Sequence, residues 1–172
     1  MSDQILLDTI ALWGLIFVNS KFHKPATEIV KGKHVFIHSA CLHELIYPAY
    51  KLESRGGRDI IAGLRLIIDV KRSYNSLIQN YSALFGISRL TILPLTPDDL
   101  LGAFTLILNE PEIFVEKRDG CWPSVVDAIV AFTWENLRIP LVTNDRKLMK
   151  YGDKHNLPYI ALSTTPAVPA KK

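Results

Sequence analysis

Five short apolar runs rich in Ile, Val and Leu, at Gln4–Leu7, His34–His38, Leu90–Leu95, Ile139–Thr143 and Leu157–Leu162, are separated by longer segments of helical period. No other feature of the chain limits its fold so tightly. Strands buried on both faces read as unbroken apolar runs, and parallel neighbours need a long crossover, usually a helix, to join them. The expected fold class is therefore α/β, with a mostly parallel sheet flanked by helices.

The intervening segments carry helix start signals. Thr96-Pro97-Asp98-Asp99 offers an N-cap, a proline at the first helical position and an acid three residues after the cap, which predicts a helix from Asp98 to Leu108. Ser124-Val-Val-Asp127 repeats the capping-box spacing and predicts another helix, to about Leu137. Ile60, Leu64, Ile67, Tyr74, Ile78, Tyr81 and Phe85 follow steps of four and three, so one long helix or two in tandem present an apolar stripe broken only by Lys71.

With 172 residues the chain can bury a full core without disulfides or a structural metal. Residues 1–162 are expected to form one domain, with 51–89 as an extended helical arm region and 163–172 as a disordered tail. Cys41 and Cys121 have no second Cys or His at ribbon or finger spacing, which disfavours a zinc module or a secreted disulfide framework and points to the reducing cytoplasm. The apolar stretch Ile5–Val18 is interrupted by Asp8 and Thr9 and follows no positive charge. It reads as a strand entering a helix rather than a signal peptide or membrane span, and no membrane partner is expected.

Charge is unevenly spread along the chain. The net value is only +3, yet residues 51–92 hold seven basic and three acidic side chains, whereas residues 93–130 hold two basic and seven acidic ones. A basic surface beside an acidic pocket suits a protein that holds both a polyanion and cations.

In a parallel sheet, ligands bind beyond the carboxyl ends of the strands, so acids placed there matter most. Asp8 directly follows the first apolar run, and Asp145 follows Ile139–Thr143 with only Asn144 between. Asp127 falls in the first turn of its helix and Glu44 in the second turn of a helix beginning near Ser39. Helix first turns face the same edge of the sheet. Four carboxylates gathered there repel one another unless a divalent cation neutralises them, and an oxygen-only donor set selects Mg²⁺ or Mn²⁺ over zinc. Each acid also has a plainer explanation: Asp145 as a helix cap, Asp127 as the far half of the Ser124 capping box, Glu44 as a solvated helix residue. Asp8 has no such role unless a helix starts directly after it. Asp98 and Asp99 are accounted for by the Thr96 cap.

Ile5-Leu-Leu-Asp8-Thr9, Ile37-His-Ser39 leading to His43-Glu44-Leu45, Ser124-Val-Val-Asp127-Ala-Ile-Val-Ala131 and Leu141-Val-Thr143-Asn144-Asp145 together resemble the PIN domain family, particularly its VapC-like ribonuclease toxins, over about Gln4 to Leu162. The resemblance implies a three-layer sandwich bearing a Mg²⁺- or Mn²⁺-dependent endoribonuclease site for single-stranded RNA. Asp8, Glu44, Asp127 and Asp145 match the acidic quartet that would hold the metal and carry catalysis. Thr9, Ser39 and Thr143 match the small hydroxyl positions around it, with Asn144 as a further supporting residue. An antitoxin protein and a second copy of the chain, in a homodimer, are the partners implied.

Two departures accompany the match. Ile10 stands where the family often has Asn or Ser, so one supporting hydrogen bond is missing. The surplus length lies at 51–89, a region that could serve as a dimer arm, grip RNA or receive an antitoxin. There Lys51, Arg58, Arg65 and Arg72 recur every seven residues, as a stripe for RNA phosphates or as an ordinary solvated face. His34, His38 and His43 straddle a change from strand to helix and are assigned no metal. A haloacid-dehalogenase-type phosphatase is disfavoured, because Ile10 occupies the position of its second acid. The alternatives that stand are a catalytically silent PIN module that binds RNA or assembles complexes, and a housekeeping RNA-processing nuclease without an antitoxin.

Overall fold

The structure is a computed structural model that describes residues 3–45, 60–117 and 121–162. Strands β1 (Gln4–Leu7), β2 (His34–His38), β3 (Arg89–Leu93), β6 (Leu141–Thr143) and β7 (Tyr159–Ala161) form a five-stranded sheet in the order β3-β2-β1-β6-β7. Every pairing in it is parallel, with Leu6 opposite Phe36 on one side and Leu141 on the other. The α/β fold with a parallel central sheet is as the sequence predicts. Ile5, Leu6 and Leu7 are wholly buried, which is why the central strand reads as an apolar run and not as an alternation.

Helices α1 (Thr9–Ile16), α2 (His23–Val30), α3 (Ser39–Glu44), α4 (Ile60–Phe85), α5 (Pro97–Asn109), α6 (Pro111–Phe114), α7 (Val125–Leu137) and α8 (Arg146–His155) flank the sheet. Strands β4 (Val115–Glu116) and β5 (Trp122–Pro123) make a separate antiparallel pair that the apolar pattern does not announce. The chain runs outward from β1 to β2 and β3, then crosses back to β6 and β7. Strand order therefore reverses beside β1, and the crevice at the carboxyl ends of β1 and β6 is where such a sheet binds its ligand.

Two local expectations need correction. The Thr96 capping box forms as predicted, with Asp99 N–H donating to Thr96 Oγ1 at 3.2 Å and Thr96 N–H to Asp99 Oδ2 at 2.7 Å. The Ser124 box does not: Ser124 makes no side-chain capping bond to α7, although the helix starts where predicted. On α4 the buried line runs through Val70 and Leu77, with Ile67, Tyr74, Tyr81 and Phe85 packed partly beneath it, and Ile78 faces outward. The stripe is thus rotated from the expected one, and a departure from helical geometry at Asn80 kinks the helix within it. Lys51, Arg58 and the 163–172 tail lie outside the described residues. Among the described residues no helix is long and apolar enough to cross a membrane.

Candidate active site

At the mouth of the crevice, Asp8 ends β1 and caps α1. Its Oδ1 accepts from Ala11 N–H at 2.6 Å and its Oδ2 accepts from the Thr143 hydroxyl. Asp145 has the same role one connection away: Oδ1 accepts from Lys147 N–H at 2.7 Å and Leu148 N–H at 3.2 Å, capping α8. Its own N–H donates to Thr143 Oγ1 at 3.0 Å. Thr143, at the end of β6, therefore ties the two caps together. Because a helix does start directly after Asp8, the cap and the strand-end placement are the same fact.

Glu44 closes α3 and accepts from the Thr9 hydroxyl. Asp127, in the first turn of α7, takes Lys147 Nζ at 2.6 Å. The same ammonium reaches Glu116 Oε1 at 3.0 Å and Ser124 Oγ at 2.9 Å. That explains the missing capping box: both of its side chains turn to Lys147 rather than to the helix backbone. Asp8, Glu44, Asp127, Asp145, Thr9 and Lys147 line one cavity of about 240 Å³, with Ile10 and Val130 as its apolar wall.

Burial sets the electrostatics. It pushes the Asp8 carboxyl up to about 7, against the Thr143 and Ala11 hydrogen bonds and with the charges of Asp145 and Asp127 adding to the rise. Glu44 and Asp127 are also raised by burial, opposed at Glu44 by the Thr9 hydroxyl and at Asp127 by Lys147. Burial alone would lower the Lys147 ammonium, but its hydrogen bond and attraction to Asp127 outweigh that and hold it above its ordinary value. Among the described residues the pocket thus carries more negative charge than Lys147 neutralises.

The four acids expected from sequence meet here, as do Thr9 and Thr143. Ser39 does not: it lines another cavity, beside Leu42, His43, Val70 and Tyr74. Asn144 is exposed in the turn before α8 and lines no part of the acidic pocket. Arg65 and Arg72 are exposed on α4, with Arg72 paired to Asp69 at 3.6 Å. Sequence reasoning missed Lys147 and Glu116. A signal for Lys147 existed: side chains lean toward the helix N-terminus, so a lysine two residues after a capping aspartate returns to the edge that the aspartate occupies.

The donor set is carboxylate and hydroxyl, with no His or Cys in the lining, and in type it fits a hard cation such as Mg²⁺ or Mn²⁺. Among the described residues no three His, Cys, Asp or Glu side chains stand close enough to hold one ion between them.

A family model, the PIN domain, matches residues 5–154. The chain belongs to the PIN domain family. Among curated proteins none matches it significantly in sequence. Among solved structures, VapBC2 from Rickettsia felis, bound to a DNA fragment from its promoter, aligns over 93% of this chain and 99% of that one, with a TM-score of 0.53 at 16% identity. PAE2754 from Pyrobaculum aerophilum aligns over 92% and 89%, with a TM-score of 0.55 at 19% identity. VapC20 from Mycobacterium tuberculosis, a Sarcin-Ricin loop cleaving toxin, aligns over 86% and 95%, with a TM-score of 0.52 at 16% identity. At these identities the likeness is one of fold: this PIN domain shares its architecture with VapC-type structures.

Proposed function

We propose that this PIN domain, spanning residues 1–162, is a Mg²⁺- or Mn²⁺-dependent endoribonuclease that cleaves single-stranded RNA, and that it is a VapC-like toxin. One observation carries the reading. Four carboxylates from four separate segments line one pocket at the switch point of a parallel sheet, three of them raised by burial and, among the described residues, only one directly paired with a cation. Such a concentration of buried carboxylates, with their proton affinities raised, marks a candidate functional site.

Asp8 and Asp127 would hold the metal directly, with Asp145 and Glu44 ligating directly or through water. A bound divalent ion would lower the pKa of its water and draw off charge from the phosphoryl oxygens. The Thr143 hydroxyl fixes the Asp8 carboxylate, and the Thr9 hydroxyl fixes Glu44. Glu44, whose proton affinity is raised by burial, is suited to take the proton of the attacking water. Lys147 sets an ammonium at the rim of the pocket, where it can meet a phosphate oxygen.

We place the protein in the cytoplasm, with an antitoxin as partner and a second copy as dimer mate. The surface that supports such contacts is the outward face of α5, where Leu101, Phe104 and Leu108 are 67%, 49% and 80% exposed. The α4 stripe is less available, since Val70 and Leu77 are already buried within the chain. The test is cleavage of single-stranded RNA with Mg²⁺ or Mn²⁺, its loss with EDTA and its loss in Asp8→Asn; cleavage that survives EDTA would sink the metal mechanism.

A second reading has its own observation. The Lys147 ammonium already sits 2.6 Å from Asp127, so the pocket contains a built-in cation. A metal-free PIN module that binds RNA without cutting it would look the same. RNA binding by a well-folded sample, inert toward varied RNAs with either metal, would favour it.

A further inference from the structure

A second cavity opens beside the acidic pocket and shares Thr9 and Ile10 with it. It measures about 400 Å³, and its other lining residues are Trp13, Ser20, Lys21 and Phe22. Apart from the shared edge its character is opposite: two half-buried aromatic rings and one exposed lysine, with no carboxylate in the lining. We propose that this cavity is a nucleobase subsite, in which one base of the RNA strand stacks on Trp13 and Phe22 while the neighbouring phosphate lies over the acidic pocket. The proposal rests on the nuclease reading for its orientation, but not for its chemistry.

Packing and a tight turn position the two rings. Trp13 lies on α1, with its ring centroid 4.1 Å from that of Phe17. Phe22 follows a tight turn fixed by three bonds: Ser20 N–H to Phe17 O at 2.9 Å, Phe22 N–H to Ser20 Oγ at 3.2 Å, and His23 N–H to Ser20 O at 2.9 Å. Gly14 lets the turn close on the helix, since a Cβ there would stand 2.8 Å from Phe22 Cβ. Lys21 Nζ sits 4.9 Å from the Phe22 ring centroid. A groove combining flat π faces with a cation is the usual platform for single-stranded nucleic acid, because every base has a face to stack and every linkage a negative charge to attract. The shared edge decides the occupant: Thr9, whose hydroxyl donates to Glu44, lines both cavities together with Ile10, so whatever fills the aromatic one lies against residues that also border the acids. A strand of RNA presents base and phosphate side by side in that way. An apolar protein segment would have no use for the acidic half.

The test uses the full chain and a short fluorescein-labelled single-stranded RNA of mixed sequence, read by anisotropy in EDTA and, with Asp127→Asn to prevent cutting, in Mg²⁺. Trp13→Leu and Phe22→Leu should each weaken binding about 5- to 150-fold, the span reported for loss of one stacked base. Trp13→Phe, which keeps a π face in a smaller ring, should restore most of it. An abasic strand of equal length should bind weakly to wild type and be indifferent to Trp13→Leu. In cleavage assays on the otherwise wild-type chain, Trp13→Leu should raise KM more than it lowers kcat. Circular dichroism and thermal melts identify any variant that fails to fold, and the Trp13→Phe and abasic arms then carry the decision. The proposal is overturned if folded Trp13→Leu binds RNA as wild type does, if the abasic strand binds as well as RNA, or if neither wild type in EDTA nor Asp127→Asn in Mg²⁺ binds RNA. It is overturned in favour of a protein-docking groove if the substitutions spare RNA binding and instead weaken self-association in light scattering. Wild type that cleaves RNA while Trp13→Leu changes neither binding nor KM would remove the subsite and leave the nuclease. Wild type that never cleaves, yet loses base-dependent binding on Trp13→Leu, would remove the nuclease and leave the subsite.

Discussion

Helix α8 carries a charged cluster at each end, and the two are built to opposite plans. Near its N-terminus four acids, Asp8, Glu44, Asp127 and Asp145, line one pocket with a single cation among the described residues, Lys147, which also reaches Glu116. At its C-terminus buried Glu110 lies 2.5 Å from His155 Nε2 and 3.3 Å from Lys154 Nζ, while Glu112 takes Lys154 at 3.2 Å and Glu135 lies 3.9 Å from His155 Nδ1. The second cluster brings two basic side chains to three acids and ties the start of α6 to the end of α8. The first spends hydrogen bonds from Thr143, Ala11 and Thr9 on holding carboxylates beside one another and leaves their charge in excess. Folding alone gains nothing from that excess, since like charges in a buried site oppose ionisation. The larger surplus of acids over bases, rather than the presence of acids, is what separates the first cluster from the second.

The largest expected effect breaks the comparison in two. Asp127→Asn should lower the rate of RNA cleavage on the order of 10³-fold, because several kcal/mol of charge stabilisation are lost and each 1.36 kcal/mol is tenfold. Glu110→Gln should leave the rate unchanged and cost about 1 to 3 kcal/mol of stability, the penalty for weakening a buried charged hydrogen bond. Initial rates and urea melts of both variants decide. If Glu110→Gln silences a folded enzyme, or Asp127→Asn does not, the two ends of the helix do not differ as described.

Next comes the proton balance of Asp8. Its carboxyl titrates near 7 in the folded chain against the ordinary 3.8, so between those values the folded state keeps a proton that the unfolded chain releases. The resulting stability is fully present below 3.8 and is lost as pH rises through 7. At 1.36 kcal/mol per unit, the loss is on the order of 4 kcal/mol. Asp8→Asn cannot ionise and keeps one acceptor for Ala11. In EDTA it should match wild type near pH 4 and exceed it by a few kcal/mol at pH 8, with Mg²⁺ narrowing the gap by stabilising only wild type. Urea melts across that range check it; parallel pH profiles for the two proteins would refute the placement of an ionisable carboxyl in this pocket.

Where the sequence was legible, burial had left a one-dimensional trace. β1 and β6 are covered on both faces and β2 fully on one, so their apolar runs mark them, and the acids that end β1 and β6 are marked by where those runs stop. Two-residue strands such as β4 and β5 are too short to show a period, and Trp122-Pro123 looks like a turn. On α4, Ile78 and Leu77 are adjacent apolar residues, and only packing against the sheet layer determines that Leu77 is buried. Ser39 matched a motif position, but it opens α3 on a side that faces α4 and β3 rather than the acids. Lys147 is easily passed over because a lysine in a first helical turn ordinarily reads as a solvated side chain, and only its place two residues after a capping aspartate signals that it returns to the acidic edge. Its three oxygen partners come from two distant segments of the chain.

Lys147 offers a finer separation. Lys147→Met should destabilise the metal-free protein by about 1 to 3 kcal/mol, since Asp127 loses a charged hydrogen bond. If the ammonium and a metal ion compete for Asp127, Mg²⁺ should then raise the melting temperature of the variant more than that of wild type. Equal Mg²⁺ shifts would show that the lysine and the metal occupy separate places, and no shift in either would favour the metal-free module. Thermal melts over a Mg²⁺ series distinguish the three.

The smallest effect tests why Asp127 is available at all. Thr96-Pro-Asp-Asp99 and Ser124-Val-Val-Asp127 have the same capping-box spacing, yet only the first closes on its own helix. A working cap contributes about 1 kcal/mol, so Thr96→Ala should cost about that much. Ser124→Ala removes no cap and loses only a partly solvated contact with Lys147, for which about 0.5 kcal/mol or less is expected. Urea melts of the two variants under one set of conditions give the difference directly. A full capping loss at Ser124 would mean that Asp127 is occupied by the helix end in solution, and the charge surplus that sets the acidic pocket apart from the Glu110 cluster would shrink by one carboxylate. A negligible loss there, beside a full one at Thr96, leaves Asp127 to serve the pocket with Lys147 as its partner.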